Sequence, residues 1–152
     1  MEVKARDLLR RSVELAVGAY DGITDKNGVP YICHAVMTAL YVNASPIVRA
    51  TALLHDVVED TPVTIEDLKW YSFPKEVVDA VDLLTRPKDE ASYTDYIRKI
   101  VESKNAVAIQ VKIADLTDNL SKTRTEEDAL NTIQRNRYEK ARVQLIEAML
   151  NL

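Results

Sequence analysis

The chain has 152 residues, 47% apolar and 29% charged, the size and balance of one globular domain, read here as residues 1–152. A formal net charge of −4 argues against a nucleic-acid partner, and the single cysteine, Cys33, excludes an internal disulfide framework and fits a reducing cytoplasm. No apolar run approaches about 20 residues and the N-terminus has no signal-peptide core, so no membrane partner is expected.

In chain order the elements read as helices. Leu8, Leu9, Ser12, Val13, Leu15, Ala16 and Ala19 recur at mostly helical spacing and predict a first helix over residues 3 to about 19. Residues 20–30 are loop-like and hold two of the three glycines, with Asn27-Gly28 as a turn signal. A second helix is expected from about Tyr31 to Val42, and Ser45-Pro46 supplies a cap and a first-turn proline for a third. That helix runs into Leu53-Leu54-His55-Asp56-Val57-Val58-Glu59-Asp60-Thr61 and stops before Pro62.

Thr64 to Asp67 resembles a capping box with Asp in place of Glu, followed by a short helix to about Tyr71. Pro74 to Leu84, Tyr93 to Val101 and Asn105 to Leu120 are the next helices. The last of these opens with an apolar run that marks it as central. A final helix is expected from Thr125 to the C-terminus. The expected fold class is all-α, a single compact helical bundle with short connections.

The stretch from His55 to Asp60 crowds an imidazole and three carboxylates at the end of a buried run. Burying such groups without partners is costly, and a cation is the natural compensation. The other histidine, His34, opens the second helix. In an antiparallel hairpin its end meets the end carrying His55. Asp115 follows a second apolar run, as Asp56 follows the first. His34, His55, Asp56 and Asp115 make a mixed imidazole–carboxylate set suited to Mn, Fe, Co or Zn. Cys33 is expected to be a small core residue.

These residues resemble the HD superfamily of metal-dependent phosphohydrolases. His55-Asp56-Val57-Val58-Glu59-Asp60-Thr61 is similar to the HDxxEDT motif of the RelA/SpoT-type (p)ppGpp hydrolase domain, stand-alone forms included. Gly28-Val29-Pro30-Tyr31-Ile32-Cys33-His34 resembles that family's approach to its first metal histidine. Val111-Lys112-Ile113-Ala114-Asp115 with Asn119 resembles its third segment. The resemblance implies that His34, His55, Asp56 and Asp115 hold a divalent metal, typically manganese, and that Glu59 and Asp60 activate or orient the attacking water. It implies Lys26 and Asn119 as substrate contacts, a nucleotide substrate, and release of pyrophosphate from the ribose 3′ position. With no room for a synthetase domain, a hydrolase alone is expected.

The sequence departs from the family at Tyr20-Asp21-Gly22-Ile23, which lacks the usual His and Gln, at Ala35, and at Leu116 in place of Arg. Asp118 adds a negative charge unwelcome to a polyphosphate. Two other readings therefore stand beside the first: a 5′-nucleotidase-like phosphomonoesterase, and a silent metal- or nucleotide-binding module. Arg135, Asn136, Arg137, Lys140 and Arg142 are expected on a solvated face, ahead of dimer contacts or substrate phosphate contacts, and Tyr93 and Tyr96 in packing, ahead of stacking on a base. Homo-oligomer formation is compatible with the sequence.

Overall fold

The computed structural model describes residues 3–43, 45–89, 92–121 and 132–152. Among these residues the chain is helical and has no strand. The helices are α1 (Val3–Ala19), α2 (Ile32–Tyr41), α3 (Pro46–Leu54), α4 (Val57–Asp60), α5 (Ile65–Trp70), α6 (Lys75–Leu84), α7 (Tyr93–Ser103), α8 (Ala106–Leu120) and α9 (Thr132–Leu150). The start expected for the last helix, at Thr125, lies outside the described residues.

Local chemistry sets several of these boundaries. The Thr64 side chain accepts from the Asp67 amide at 3.1 Å while the Asp67 carboxylate accepts from the Thr64 amide at 2.8 Å, a complete capping box. Ser92 and Asn105 cap α7 and α8 by accepting from Asp95 and Ala108 amides. Pro46 sits in the first turn of α3, but the Ser45 hydroxyl makes no capping bond. Asn43 orders that turn by accepting from the Ser45 amide at 2.9 Å.

One boundary differs from the expectation. The third helix does not run unbroken to Asp60: it ends at Leu54, and Asp56 leaves the helical region at φ −103°, ψ 2° before α4 begins. The His55 imidazole turns back onto the Ala52 carbonyl at 2.7 Å. The break turns the His-Asp pair into the junction between two helices. Cys33 is also exposed, not in the core, because α2 buries His34, Ala35 and Thr38 and presents its opposite side.

Two apolar clusters flank α3. Val48 and Ala52 join Ile97, Ile100, Ile109, Val111, Leu116 and Leu145, whereas Ala50 and Leu54 join Ala16, Val57, Leu68, Val77 and Val81. Leu54 is fully buried, so truncation to alanine would cost about 2–5 kcal/mol. α2, α3 and α8 pack on one another, and the buried polar residues collect where they meet. No helix among the described residues is long and apolar enough to cross a membrane.

Candidate metal centre

His34 comes from the first turn of α2, His55 and Asp56 from the α3–α4 junction, and Asp115 from α8. One ligand atom from each lies within 4.8 Å of every other. His34 Nε2 stands 3.0 Å from Asp115 Oδ1 and 3.7 Å from Asp56 Oδ2. His55 Nε2 stands 3.1 Å from Asp56 Oδ2 and 3.6 Å from Asp115 Oδ1. Ligands at right angles around an ion bound at about 2.1 Å are separated by about 3 Å, so the spacing suits coordination.

The two Nε2 atoms supply the stronger test. Both are buried, and among the described residues neither has a hydrogen-bond partner, although carboxylate oxygens stand 3.0 Å and 3.1 Å away. The other nitrogen of each ring is fully engaged. His34 Nδ1 lies 2.6 Å from Asp118 Oδ2 and His55 Nδ1 2.7 Å from the Ala52 carbonyl. With Nδ1–H donated outward, Nε2 is the atom of each ring turned toward the two carboxylates. Two orphaned imidazole nitrogens and two carboxylates form a donor set that a divalent ion fits.

The carboxylates are held as firmly. The Tyr31 hydroxyl donates to Asp56 Oδ2 at 2.6 Å. Lys112 Nζ donates to Asp115 Oδ2 at 2.7 Å, and Asn119 Nδ2 to Asp115 Oδ1 at 2.8 Å. Tyr20, at the first departure from the family pattern, is buried with its ring 5.2 Å from that of Tyr31. Leu116, at another departure, packs in the core.

The electrostatics follow. Burial works against charge on both histidines, yet Asp115 and Asp118 outweigh it at His34, and Asp56 and Asp115 at His55, so both imidazole pKa values are raised. Burial likewise opposes ionisation of Asp115 and Asp56. Lys112 and the histidines outweigh it at Asp115, and His55 and His34 at Asp56, leaving both lowered. In the metal-free protein the imidazole protons supply the positive charge that an ion would bring. Glu59 and Asp60 are accessible to solvent, and their pKa values are raised, first by partial burial and then by Asp56 beside them.

A cavity of about 430 Å³ opens onto the centre. Asp56, Asp115 and Glu59 line one part of it, with Asn119 alongside. Lys26 reaches it from the loop after α1, where Gly28 takes φ +79° and Asp25 accepts from the Asn27 and Val29 amides. Asp60 is not among the lining residues, although it adjoins Asp56 and Glu59. Glu59 Oε1 accepts from the Arg86 amide at 2.7 Å.

Several residues here carry roles the sequence reading did not assign. Asp118 is not a loose negative charge but the partner of His34, 2% exposed. Tyr31 and Lys112 had been quoted only as parts of motifs. Arg137 lines the cavity, whereas a solvated face was expected ahead of a substrate contact. The signal for Lys112, Asp118 and Asn119 was their spacing of three and four residues around Asp115 on one helix.

Fold and centre together define the class, an all-α HD-type domain with a His/Asp cluster able to hold a divalent ion. Comparison with known proteins places it further. The chain is 34% identical over 123 residues to the bifunctional (p)ppGpp synthase/hydrolase SpoT of Escherichia coli (strain K12), covering 74% of this chain and 17% of that protein. It is 35% identical over 124 residues to a guanosine-3′,5′-bis(diphosphate) 3′-pyrophosphohydrolase of Vibrio cholerae, covering 75% of this chain and 18% of that one. A solved structure reported as a metazoan ortholog of SpoT that hydrolyses ppGpp matches with a TM-score of 0.73 and 22% identity, over 93% of this chain and 85% of the other. No protein-family model matches the chain. The chain is thus a homologue of one segment of the SpoT-type proteins, and spans less than a fifth of the length of these two curated relatives.

Proposed function

We propose that this chain is a metal-dependent phosphohydrolase that acts on (p)ppGpp, releasing pyrophosphate from the ribose 3′ position to give GDP or GTP. The observation that carries the reading is the pair of buried, unpartnered Nε2 atoms facing Asp56 and Asp115 beside a polar cavity. The curated relatives are named for the same reaction.

His34, His55, Asp56 and Asp115 hold the ion; the mixed imidazole–carboxylate set suits Mn, Fe, Co or Zn, and the family resemblance makes Mn²⁺ the first choice. When bound, the ion lowers the pKa of the attacking water and polarises a phosphoryl oxygen. Glu59 takes the proton from that water as it attacks phosphorus, and its raised pKa makes it a better base than an ordinary surface carboxylate. Asp60 orients the water from the neighbouring position. The bond from phosphorus to the ribose 3′ oxygen breaks, and that oxygen takes a proton from solvent as it leaves, while Glu59 returns its own proton to solvent. Lys26 and Asn119 contact the substrate, Asn119 while also fixing Asp115. The exposed Cys33 is in keeping with a reducing cytoplasm as the place of action.

A phosphomonoesterase acting on 5′-nucleotides is the second reading, favoured by buried Tyr20 standing where the family has a histidine. Incubation of the Mn²⁺-loaded protein with ppGpp, with products separated, decides. GDP plus pyrophosphate, lost on chelation, is expected. Phosphate from nucleoside 5′-monophosphates with ppGpp untouched would overturn the first reading in favour of the second.

A further inference from the structure

From Asn27 to Val48 the chain carries no Asp, Glu, Lys or Arg, in a sequence that is 29% charged. The whole of α2 lies inside this run. A helix without a charged face belongs inside a protein, yet α2 is covered on one side only. His34, Ala35 and Thr38 are buried where α2 packs on α3 and α8. Cys33, Val36 and Leu40 recur three and four residues apart along the other side and are exposed, Leu40 by 68%. Exposed Tyr41 and half-buried Met37 widen this stripe on one flank. Past Tyr41 the surface stays uncharged. The Asn43 amide donates to Gln110 Oε1 at 2.7 Å, which joins α2 to the first turns of α8, and residues 105–111 also lack charge.

Single exposed apolar residues are ordinary, whereas a stripe of them on an uncharged helix marks a contact surface. Charge limits what can cover it. A charged surface brought against the stripe would lose its water and gain no counter-charge. Other exposed apolar side chains lie beside charged ones: Trp70 follows Lys69, Val17 stands one turn from Glu14, and Val143 follows Arg142. Among the described residues, the surface that matches the outer side of α2 is the same surface on a second copy. A two-fold axis brings the two together without burying a charge. None of Cys33, Val36, Leu40 and Tyr41 lines the cavity, so the centre stays open in such a pair.

We propose that two copies of this chain associate through the outer sides of their α2 helices, packed against each other about a two-fold axis. The proposal stands apart from the reading of the reaction. One short helix per copy is less than the roughly 20 residues a side of a standard interface, so the dimer is reversible, with Kd in the micromolar range.

Sedimentation velocity over a dilution series tests it. The wild-type mass rises from 17.2 kDa toward twice that value with concentration, and Leu40→Lys and Val36→Lys each stay at the monomer mass. Val143→Lys, on the exposed side of α9, associates as the wild type does. Both α2 positions face solvent in the single chain, and circular dichroism confirms that the variants fold. Cys33, the one cysteine of the chain, reports the geometry separately. Bismaleimidohexane joins two wild-type copies through it, and Leu40→Lys abolishes the cross-link. A wild type that is monomeric up to about 1 mM overturns the proposal, because that concentration lies far above a micromolar Kd. So does a dimer that survives both lysine variants, which places the contact elsewhere, or a dimer that Cys33 cannot cross-link. A monomer that instead sediments with phosphatidylcholine vesicles, and is released by Leu40→Lys, overturns it in favour of a lipid surface.

Discussion

His34 Nδ1 and Asp118 Oδ2 meet at 2.6 Å across 84 positions of sequence, both side chains all but excluded from solvent. The contact joins α2 to α8 and fixes which nitrogen of His34 faces the centre. A carboxylate placed behind a ligating histidine sets the ring's tautomer and raises its basicity.

Asp118→Ala is therefore expected to lower affinity for Mn²⁺ about 10–100-fold, the usual effect of losing such a partner. Asp118→Asn keeps an acceptor oxygen against Nδ1–H and retains more of the affinity. Calorimetric titration of the two variants measures both. Wild-type affinity in Asp118→Ala would remove Asp118 from the support of the centre.

Lys112 stands in the same relation to Asp115. Their contact is almost fully buried, and removing one partner of a buried pair costs about 3–5 kcal/mol because the other charge is left without compensation. Lys112→Met should therefore lower the melting temperature of the metal-free protein, and saturating Mn²⁺ should raise it by more than in the wild type, since the ion offsets Asp115. Equal melting temperatures for the metal-free variant and wild type would show that Lys112 is not what stabilises Asp115.

Much of this site was legible because its ligands lie in order along the chain, each at the edge of an apolar run. His55-Asp56 and Ala114-Asp115 both show the change from buried to charged within one step, and the helical hairpin places His34 opposite them. The partners of the ligands were harder to read. Asp118 is polar in sequence and looks solvent-facing, and only the packing of α2 on α8 reveals what it touches. Cys33 was misplaced because a small apolar residue within a helix was read as core, although its side chain points away from that of His34. The helical period puts Cys33, Val36 and Leu40 on one side, and all three are exposed. The break at Asp56 has no proline or glycine to announce it. The basic run around Arg137 was visible but ranked first as solvated, because a basic helix face looks the same whether it meets water or a cavity.

Glu59→Gln tests the proposed base directly. The substitution keeps the size of the side chain and an oxygen able to accept from the Arg86 amide, so fold and metal content should be unchanged. Turnover of ppGpp should fall roughly 100-fold or more, the usual contribution of general base catalysis. Metal content by atomic absorption, read beside kcat, separates loss of the base from loss of the ion. A kcat within a few-fold of wild type would exclude Glu59 as the base.

The pH dependence of stability follows from the signs of the shifts in the metal-free protein. His34 and His55 have folded pKa values raised above the reference 6.5, so their contribution is fully present below about pH 6.5 and is lost as pH rises through the folded values. Asp56 and Asp115 have folded pKa values lowered from the reference 3.8, so theirs is present above about pH 4 and is lost as pH falls through the folded values. The metal-free protein should accordingly melt highest between about pH 4 and 6.5 and lose stability as pH rises above about 6.5. Mn²⁺ removes that slope. It binds the neutral imidazoles, so its affinity rises as the histidines lose their protons, and the stabilisation it adds grows over the same interval. Melting curves from pH 5 to 9, with chelator and with saturating Mn²⁺, should therefore diverge with rising pH. Parallel curves would mean that the histidine protons and the ion do not compete, and that His34 and His55 are not its ligands.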